Sequence, residues 1–206
     1  MANDNFPRGL FPLRWPMVPG NWYRVDTGAD IYLGMPVDLA STGYVVPAGV
    51  NSAGAVNILG AAVAFAGTLK RGLATNDPFL DVSDLAPPQP SSDTGDRFVY
   101  VTDDPNQEYV IQGDTGGTVA TITAAGEVVT LLYRSANSGN TDTGWTSLEF
   151  DASTNVANGS GQMTLLRLHD QVNSDGTENA AGANYQKWVA RITWHRKRSG
   201  FVDTAV

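Results

Sequence analysis

The sequence predicts an all-β protein built as an N-terminal extended arm, a small β-barrel-like domain and a second antiparallel β-sandwich or barrel domain. Three observations predict it. Apolar residues recur with a period of two in short runs, the pattern of strands with one buried face. Clusters of Gly, Asn, Asp and Ser punctuate those runs about every 8–12 residues, as in small barrels and sandwiches. The composition is only 17% charged, with 22 glycines among 206 residues, which suits strands and turns. Long helices would be richer in Ala, Leu, Glu and Lys.

Residues 1–19 form the arm. Pro7, Pro12, Pro16 and Pro19 exclude a regular helix or strand across it. Yet Phe6, Leu10, Phe11, Trp15 and Met17 are too apolar for a solvated tail. An apolar extended segment lies on something, by strand addition or groove docking. These five residues are therefore candidate interface residues, toward a partner or a sister subunit. The alternative is an arm folded over its own domain.

The first domain spans residues 20–86. Trp22, Tyr23, Arg24 and Val25 make a strand that ends at Thr27-Gly28. Ile31, Tyr32 and Leu33 precede Gly34. Pro36, Val37, Asp38 and Leu39 lead to a turn at Ser41-Thr42-Gly43, and then to Tyr44, Val45 and Val46. Residues 58–69 give a longer strand, or two with a bend at Gly60. A short helical turn is expected near 78–85. Residues 87–97 contain Pro87, Pro88 and Pro90 and read as a semi-rigid linker.

The second domain spans residues 98–198, followed by a tail at 199–206. Strands are expected at 98–101, 109–112, 118–123, 127–134, 145–150 and 163–168. The clearest comes last, where Trp188, Ala190, Ile192 and Trp194 share one face, and Val189, Arg191, Thr193 and His195 the other. The shared face argues for Trp188 and Trp194 as core, whereas Trp15, in the arm, is the natural interface anchor.

The stretch VYVTDDPNQEYVIQ, residues 99–112, asks whether Asp103, Asp104 and Glu108 do chemistry. Asp, Asp, Pro, Asn is the composition of a type I turn. Adjacent strand-end residues point to opposite sides, so Asp103 and Asp104 make a poor catalytic dyad. The stretch is read as a hairpin, with the three acids serving turn geometry and solubility. The loop Asn173, Ser174, Asp175, Gly176, Thr177, Glu178 is rich in oxygen ligands, but it fails the EF-hand register and reads as a solvent loop. Only His169 and His195 are histidines and there is no cysteine, which leaves no thiol nucleophile and no His-Glu-x-x-His zinc pattern. No phosphate loop, dinucleotide fingerprint or Gly-x-Ser-x-Gly elbow occurs. Asn158-Gly159-Ser160 is read as an Asn-Gly turn. No cofactor is expected and no catalytic residue is assigned.

The net charge of −8 disfavours direct contact with nucleic acid. The basic cluster Lys187, Arg191, Arg196, Lys197 and Arg198 reads as a solvated last strand that could meet an acidic neighbour. The first residues lack the apolar core of a signal peptide, and no run reaches membrane-spanning length. Synthesis in the cytoplasm, where the chain stays until it meets its partner, and no membrane partner are the expectation.

Four segments together carry a resemblance: residues 98–112, 144–151 (GWTSLEFD), 165–168 (LLRL) and 189–195 (VARITWH). Over roughly the C-terminal half, the chain resembles tailed-bacteriophage virion proteins known or suspected to be capsid cement, or head decoration, proteins. Residues 23–25, 31–37 and 43–45 are similar to the small β-barrels of other head-decoration proteins. The resemblance implies a non-enzymatic structural role on the outer capsid surface of the virion, bracing the shell through contacts with the major capsid protein, as a homotrimer. The arm would then clamp the capsid or a sister subunit. A carbohydrate-binding or adhesin-like β module of a phage fibre or tail is the alternative; it would show outward Trp and Tyr. A β-scaffold hydrolase would need His169 or His195 in a cleft beside a carboxylate.

Overall fold

The computed structural model describes residues 5–13, 19–26, 30–50, 56–66, 97–115, 125–134, 139–140, 143–153 and 161–198. Outside them lie Trp15 and Met17 of the arm, the helical turn expected at 78–85, all of the proline-rich linker but Arg97, the strand expected at 118–123 and the tail at 199–206.

The described chain is all-β: two five-stranded antiparallel sheets and a two-stranded one. The first sheet contains β2 (Asn21–Arg24), β3 (Pro36–Leu39), β4 (Val45–Pro47), β5 (Gly60–Ala66) and β6 (Phe98–Thr102), in the order β2-β6-β5-β3-β4. Its two edges meet again where Val25 bridges Val45, so the sheet curls into a barrel-like closure. One face of each strand fills the interior, through Val25, Val37, Val45, Val99 and Val101. These β-branched side chains suit a pleated, half-buried surface.

The second sheet contains β1 (Phe11–Pro12), β7 (Glu108–Gln112), β8 (Val128–Val129), β11 (Met163–Leu168) and β12 (Lys187–Ile192), in the order β1-β7-β12-β11-β8. After Thr130 the chain continues as β9 (Leu131–Tyr133), which pairs with β10 (Leu148–Phe150). Phe150 then bridges Gly113 at the end of β7, which closes this half as well. The alternation expected along β12 is present: Trp188, Ala190 and Ile192 all enter the core, with Tyr109, Ile111, Phe150, Met163 and Leu165. Complete burial of a side chain such as Ile111 stabilises the fold by roughly 1.5–3 kcal/mol. Trp194 lies past the end of the strand, in a bend, and is only half-buried.

Sheet membership does not follow the expected division at the linker. Strand β6, which follows the linker, lies between β2 and β5 of the first sheet. Strand β1, from the arm, pairs with β7 through Phe11–Val110 and Pro12–Tyr109. The second core also takes in Leu10, Val50, Ile58 and Ala61. Beyond β12, Ile58 N–H donates to the Trp194 carbonyl and Arg196 N–H to the Ile58 carbonyl, which fastens the end of the second half onto the first.

Residues 99–112 do not form a hairpin. Strands β6 and β7 belong to different sheets, and the chain turns a corner between them. Across that corner the Tyr109 hydroxyl donates to the Thr102 carbonyl at 2.9 Å and lies 2.8 Å from the Thr102 hydroxyl. A hairpin needs the two arms to prefer each other, whereas here each finds longer partners elsewhere: β6 in β2 and β5, β7 in β12.

Candidate functional site

Three places gather polar or aromatic side chains. The first is the corner itself. Asp103 is only 6% exposed and its Oδ2 accepts from Asn21 Nδ2 at 2.8 Å, from the Tyr23 hydroxyl and from Lys197 Nζ. Burial alone would raise its carboxyl. The bonds from Lys197, Tyr23 and Asn21 outweigh burial and hold it below the usual range. The Tyr23 hydroxyl is raised, by burial first and then by Asp103. The expectation that Asp103 serves solubility is therefore corrected: it is a buried acceptor tying β2, the corner and the C-terminal segment together. Asp104 keeps the expected turn role. Its Oδ1 accepts from Asn106 N–H at 2.8 Å and its carbonyl from Gln107 N–H at 3.0 Å. Glu108 pairs with Arg167 at 3.0 Å on the surface.

His195 lies close by but is 1% exposed. Its Nδ1 accepts from Lys197 N–H at 3.1 Å, and burial, with help from Arg198, pushes it down to about 4. It is a neutral core histidine at pH 7, not one presented to a cleft. The expected solvent loop at 173–178 folds as a local turn, in which Asp175 Oδ1 accepts from Thr177 N–H and Oγ1. Among the described residues, no group of three or more His, Asp or Glu is placed to hold a metal ion.

The second place is a cavity of about 560 Å³ over the outer face of β7 and β12, covered by the arm on one side and by residues 169–171 on the other. The arm residues line it because the arm is fastened to its own chain. Leu10 N–H donates to the Gly34 carbonyl and Leu13 N–H to the Glu108 carbonyl. Gly34 has φ +78°, and a Cβ there would lie 1.9 Å from the Arg8 carbonyl oxygen, so the close approach requires glycine. Of the five arm residues singled out in the sequence, Leu10 is fully buried in the chain's own core. Phe11 is half-buried and tilted against Trp145 at 5.9 Å, and Phe6 is 48% exposed. Residues 5–13 thus adopt the own-domain arrangement. Arg8 lies 4.5 Å from the Phe6 ring centre, 5.6 Å from Trp145 and 5.8 Å from Phe11.

Behind this cavity stands Glu149, whose side chain is 0% exposed. It accepts from Gln112 Nε2 at 2.6 Å and pairs with Arg134 at 3.4 Å. Burial raises its carboxyl above the ordinary value.

The third place is the outer face of the first sheet. Register sets Trp22 opposite Tyr100 and Arg24 opposite Phe98, so these four side chains share a face while Tyr23, Val25, Val99 and Val101 point inward. Trp22 is 51% exposed and meets Tyr100 edge-on at 5.3 Å. Arg24 lies 6.0 Å from the Phe98 ring centre. Further along the same face of β6, Thr102 is fully buried against the second half. The aromatic patch is the part of this face that the second sheet leaves uncovered. Sequence reading placed Trp22 on a strand without assigning it a direction. Trp22 and Arg24 alternating with Tyr23 and Val25 was the available signal, but both faces carry apolar groups.

No family model, curated protein or solved structure matches the chain.

Proposed function

We propose that this chain is a structural virion protein, a capsid cement protein that binds the outer surface of a tailed-bacteriophage head through the Trp22–Tyr100 face. One observation carries the reading: exposed Trp22 and Arg24 beside half-buried Tyr100 and Phe98, displayed on adjacent strands of a closed sheet. Trp, Tyr and Arg are the side chains most enriched where protein interfaces concentrate their binding energy. A solvent-facing aromatic cluster set in β-ladders loses little entropy on docking, because its backbone is already ordered. The likeness of residues 98–112, 144–151, 165–168 and 189–195 to head-decoration proteins supports the same reading. Bracing a shell needs many modest contacts that bind the assembled form and stabilise it by mass action. A homotrimer suits the three-fold positions where capsid subunits meet.

The test is reconstitution. Purified chain is added to undecorated heads of the phage whose virions contain it, bound protein is counted by sedimentation, and its position is read by cryo-electron microscopy. Trp22→Ala is expected to weaken binding at least about tenfold while leaving the circular dichroism unchanged. Binding by Trp22→Ala equal to wild type refutes the assigned face, and absence of the wild-type chain from decorated heads refutes the function. The outward Trp22 and Tyr100 also favour the second reading, a carbohydrate-binding module. Saturable binding to host-surface polysaccharide, lost in Trp22→Ala and without affinity for heads, selects that reading instead. Size-exclusion chromatography with light scattering tests the trimer.

A further inference from the structure

We propose that the cavity between the arm and residues 169–171 is a binding site for an acidic sugar, a pyranose ring bearing a carboxylate. Its volume, about 560 Å³, falls within the roughly 300–1,000 Å³ typical of small-ligand sites. It lies on a different sheet from the Trp22 face and rests on neither reading above.

Three requirements of such a ligand are met by different residues. The carboxylate needs cations. Among the described residues, Arg8 and Lys187 line the cavity and no Asp or Glu does, although the whole chain carries a net charge of −8. Arg8 forms no ion pair among the described residues. Its guanidinium is held over Phe6, Phe11 and Trp145, which fixes its plane while leaving its N–H groups available for a two-point contact with a carboxylate.

The apolar C–H face of a sugar ring needs a flat hydrophobic wall. Phe6, Phe11 and Val110 provide one along the arm and β7. Ring hydroxyls need donors and acceptors that the protein has not already used. Asn5 Oδ1 is occupied by Gln112 and Arg134, but its Nδ2 makes no hydrogen bond among the described residues. The Gln171 side-chain amide makes none there either. His169 also lines the cavity, but its Nδ1 is buried out of a ligand's reach. Gln112 is already committed, since its Oε1 accepts from Phe6 N–H and its Nε2 donates to Asn5 and Glu149. It holds the wall in place.

The alternatives predict different ligands. A site for a bare anion would need no ring wall and would take inorganic phosphate as well as a uronate. A site for an apolar acid would leave Asn5 and Gln171 unused and would prefer benzoate.

The experiment is a titration of the full chain at pH 7 with glucuronate, glucose, benzoate and inorganic phosphate. It is followed by calorimetry and by tryptophan emission, to which Trp145, 5.6 Å from the Arg8 guanidinium, contributes. Glucuronate is expected to bind saturably, with glucose at least about tenfold weaker because it lacks the charge. Arg8→Gln and Gln171→Ala should each weaken glucuronate by about tenfold or more while the circular dichroism is unchanged, and Arg8→Lys should restore part of the loss. No saturation by glucuronate at about 10 mM overturns the proposal. Phosphate or benzoate binding as tightly as glucuronate overturns it too, as does glucuronate binding that survives both substitutions.

Discussion

Asp103 and Asp104 are neighbours of one chemistry and two environments, so replacing each with Asn separates a buried acceptor from a turn former. In Asp103→Asn the amide oxygen can take the place of Oδ2, where Asn21, Tyr23 and Lys197 converge. The contacts survive but lose their charge. A hydrogen bond to a charged group contributes roughly 1.5–3 kcal/mol and a neutral one about 0.5–1.5, a difference of about 1 kcal/mol per bond. Lys197 is 43% exposed, so its share is largely screened and is left out. Two bonds remain, and Asp103→Asn should cost about 2 kcal/mol at pH 7. Asp103→Ala removes the acceptor altogether and leaves the Tyr23 hydroxyl and Asn21 amide unmatched, for a cost of about 3–5 kcal/mol. In Asp104→Asn the Asx turn to Asn106 N–H is retained, and the cost should stay within about 0.5 kcal/mol.

Urea unfolding followed by circular dichroism, with each variant compared at a common slope, reads these differences. The sign with pH is fixed by the direction of the Asp103 shift. Its folded pKa lies below the unfolded value, so its stabilisation is complete above about pH 4 and is lost as pH falls through the folded pKa. The gap between wild type and Asp103→Asn should therefore close on acidification. Equal midpoints for Asp103→Asn and Asp104→Asn at pH 7 would refute the buried-acceptor account and restore a plain solvent turn.

Leu10→Ala should cost about 2–5 kcal/mol in the same assay, because Leu10 is fully buried in the second core; a cost below about 1 kcal/mol would mean the arm is not part of that core. Gly34→Ala should detach the arm, since the new Cβ meets the Arg8 carbonyl and φ is +78°. Limited proteolysis within residues 5–13 is the readout, and wild-type resistance would contradict the close approach. Glu149→Gln keeps an acceptor for Gln112 and removes a buried charge whose folded pKa is raised. A raised carboxylate costs stability above its unfolded pKa, and that cost is relieved as pH falls through the folded pKa. The variant should equal or exceed wild type by up to about 1 kcal/mol at pH 7 and lose that advantage in acid. A loss greater than about 1 kcal/mol at pH 7 would show that the Arg134 pair outweighs desolvation.

Strand β12 was legible because Trp188, Ala190 and Ile192 alternate along it and alternation is a local signal, although Lys187 and Val189 on its other face are buried too. The corner at 99–112 was not, because a hairpin and a corner have the same local pattern. Two strands flank an Asp-Pro turn in both, and what differs is whether each strand finds a better partner elsewhere. Strand β6 finds β2 and β5, and no residue within the stretch records that. The same distance in sequence hid the Asp103 cluster, in which Tyr23 and Lys197 lie 80 and 94 residues away. The basic cluster at the C-terminal end read as a solvated strand meeting an acidic neighbour; Arg196 does pair with Asp38 at 3.1 Å, whereas Lys187 is buried. The cavity was invisible for a related reason, since its walls come from the arm, β7, β12 and the 169–171 segment. The arm contributes six lining residues and each other segment one or two, and nothing in any one segment shows that they meet.

The interlocking of the halves bears on the proposed docking face. Strand β6 lies in the interior of the first sheet but leads directly into β7 of the second, and its outer face runs from buried Thr102 to the half-buried Tyr100 and Phe98. A second half seated two residues further along would have covered Tyr100 and, across the ladder, Trp22. Instead the overlap stops at Thr102, fixed by Tyr109, Ala61 and the Asp103 contacts. The patch is therefore shared between the edge strand β2, which carries Trp22 and Arg24, and β6, which is held from both sides. A force applied there passes through the ladders to β2 and β5 and across the corner to β7, rather than bending a loop. That combination of an exposed Trp22 on β2 and half-buried aromatics on its doubly held neighbour suits the proposed docking face.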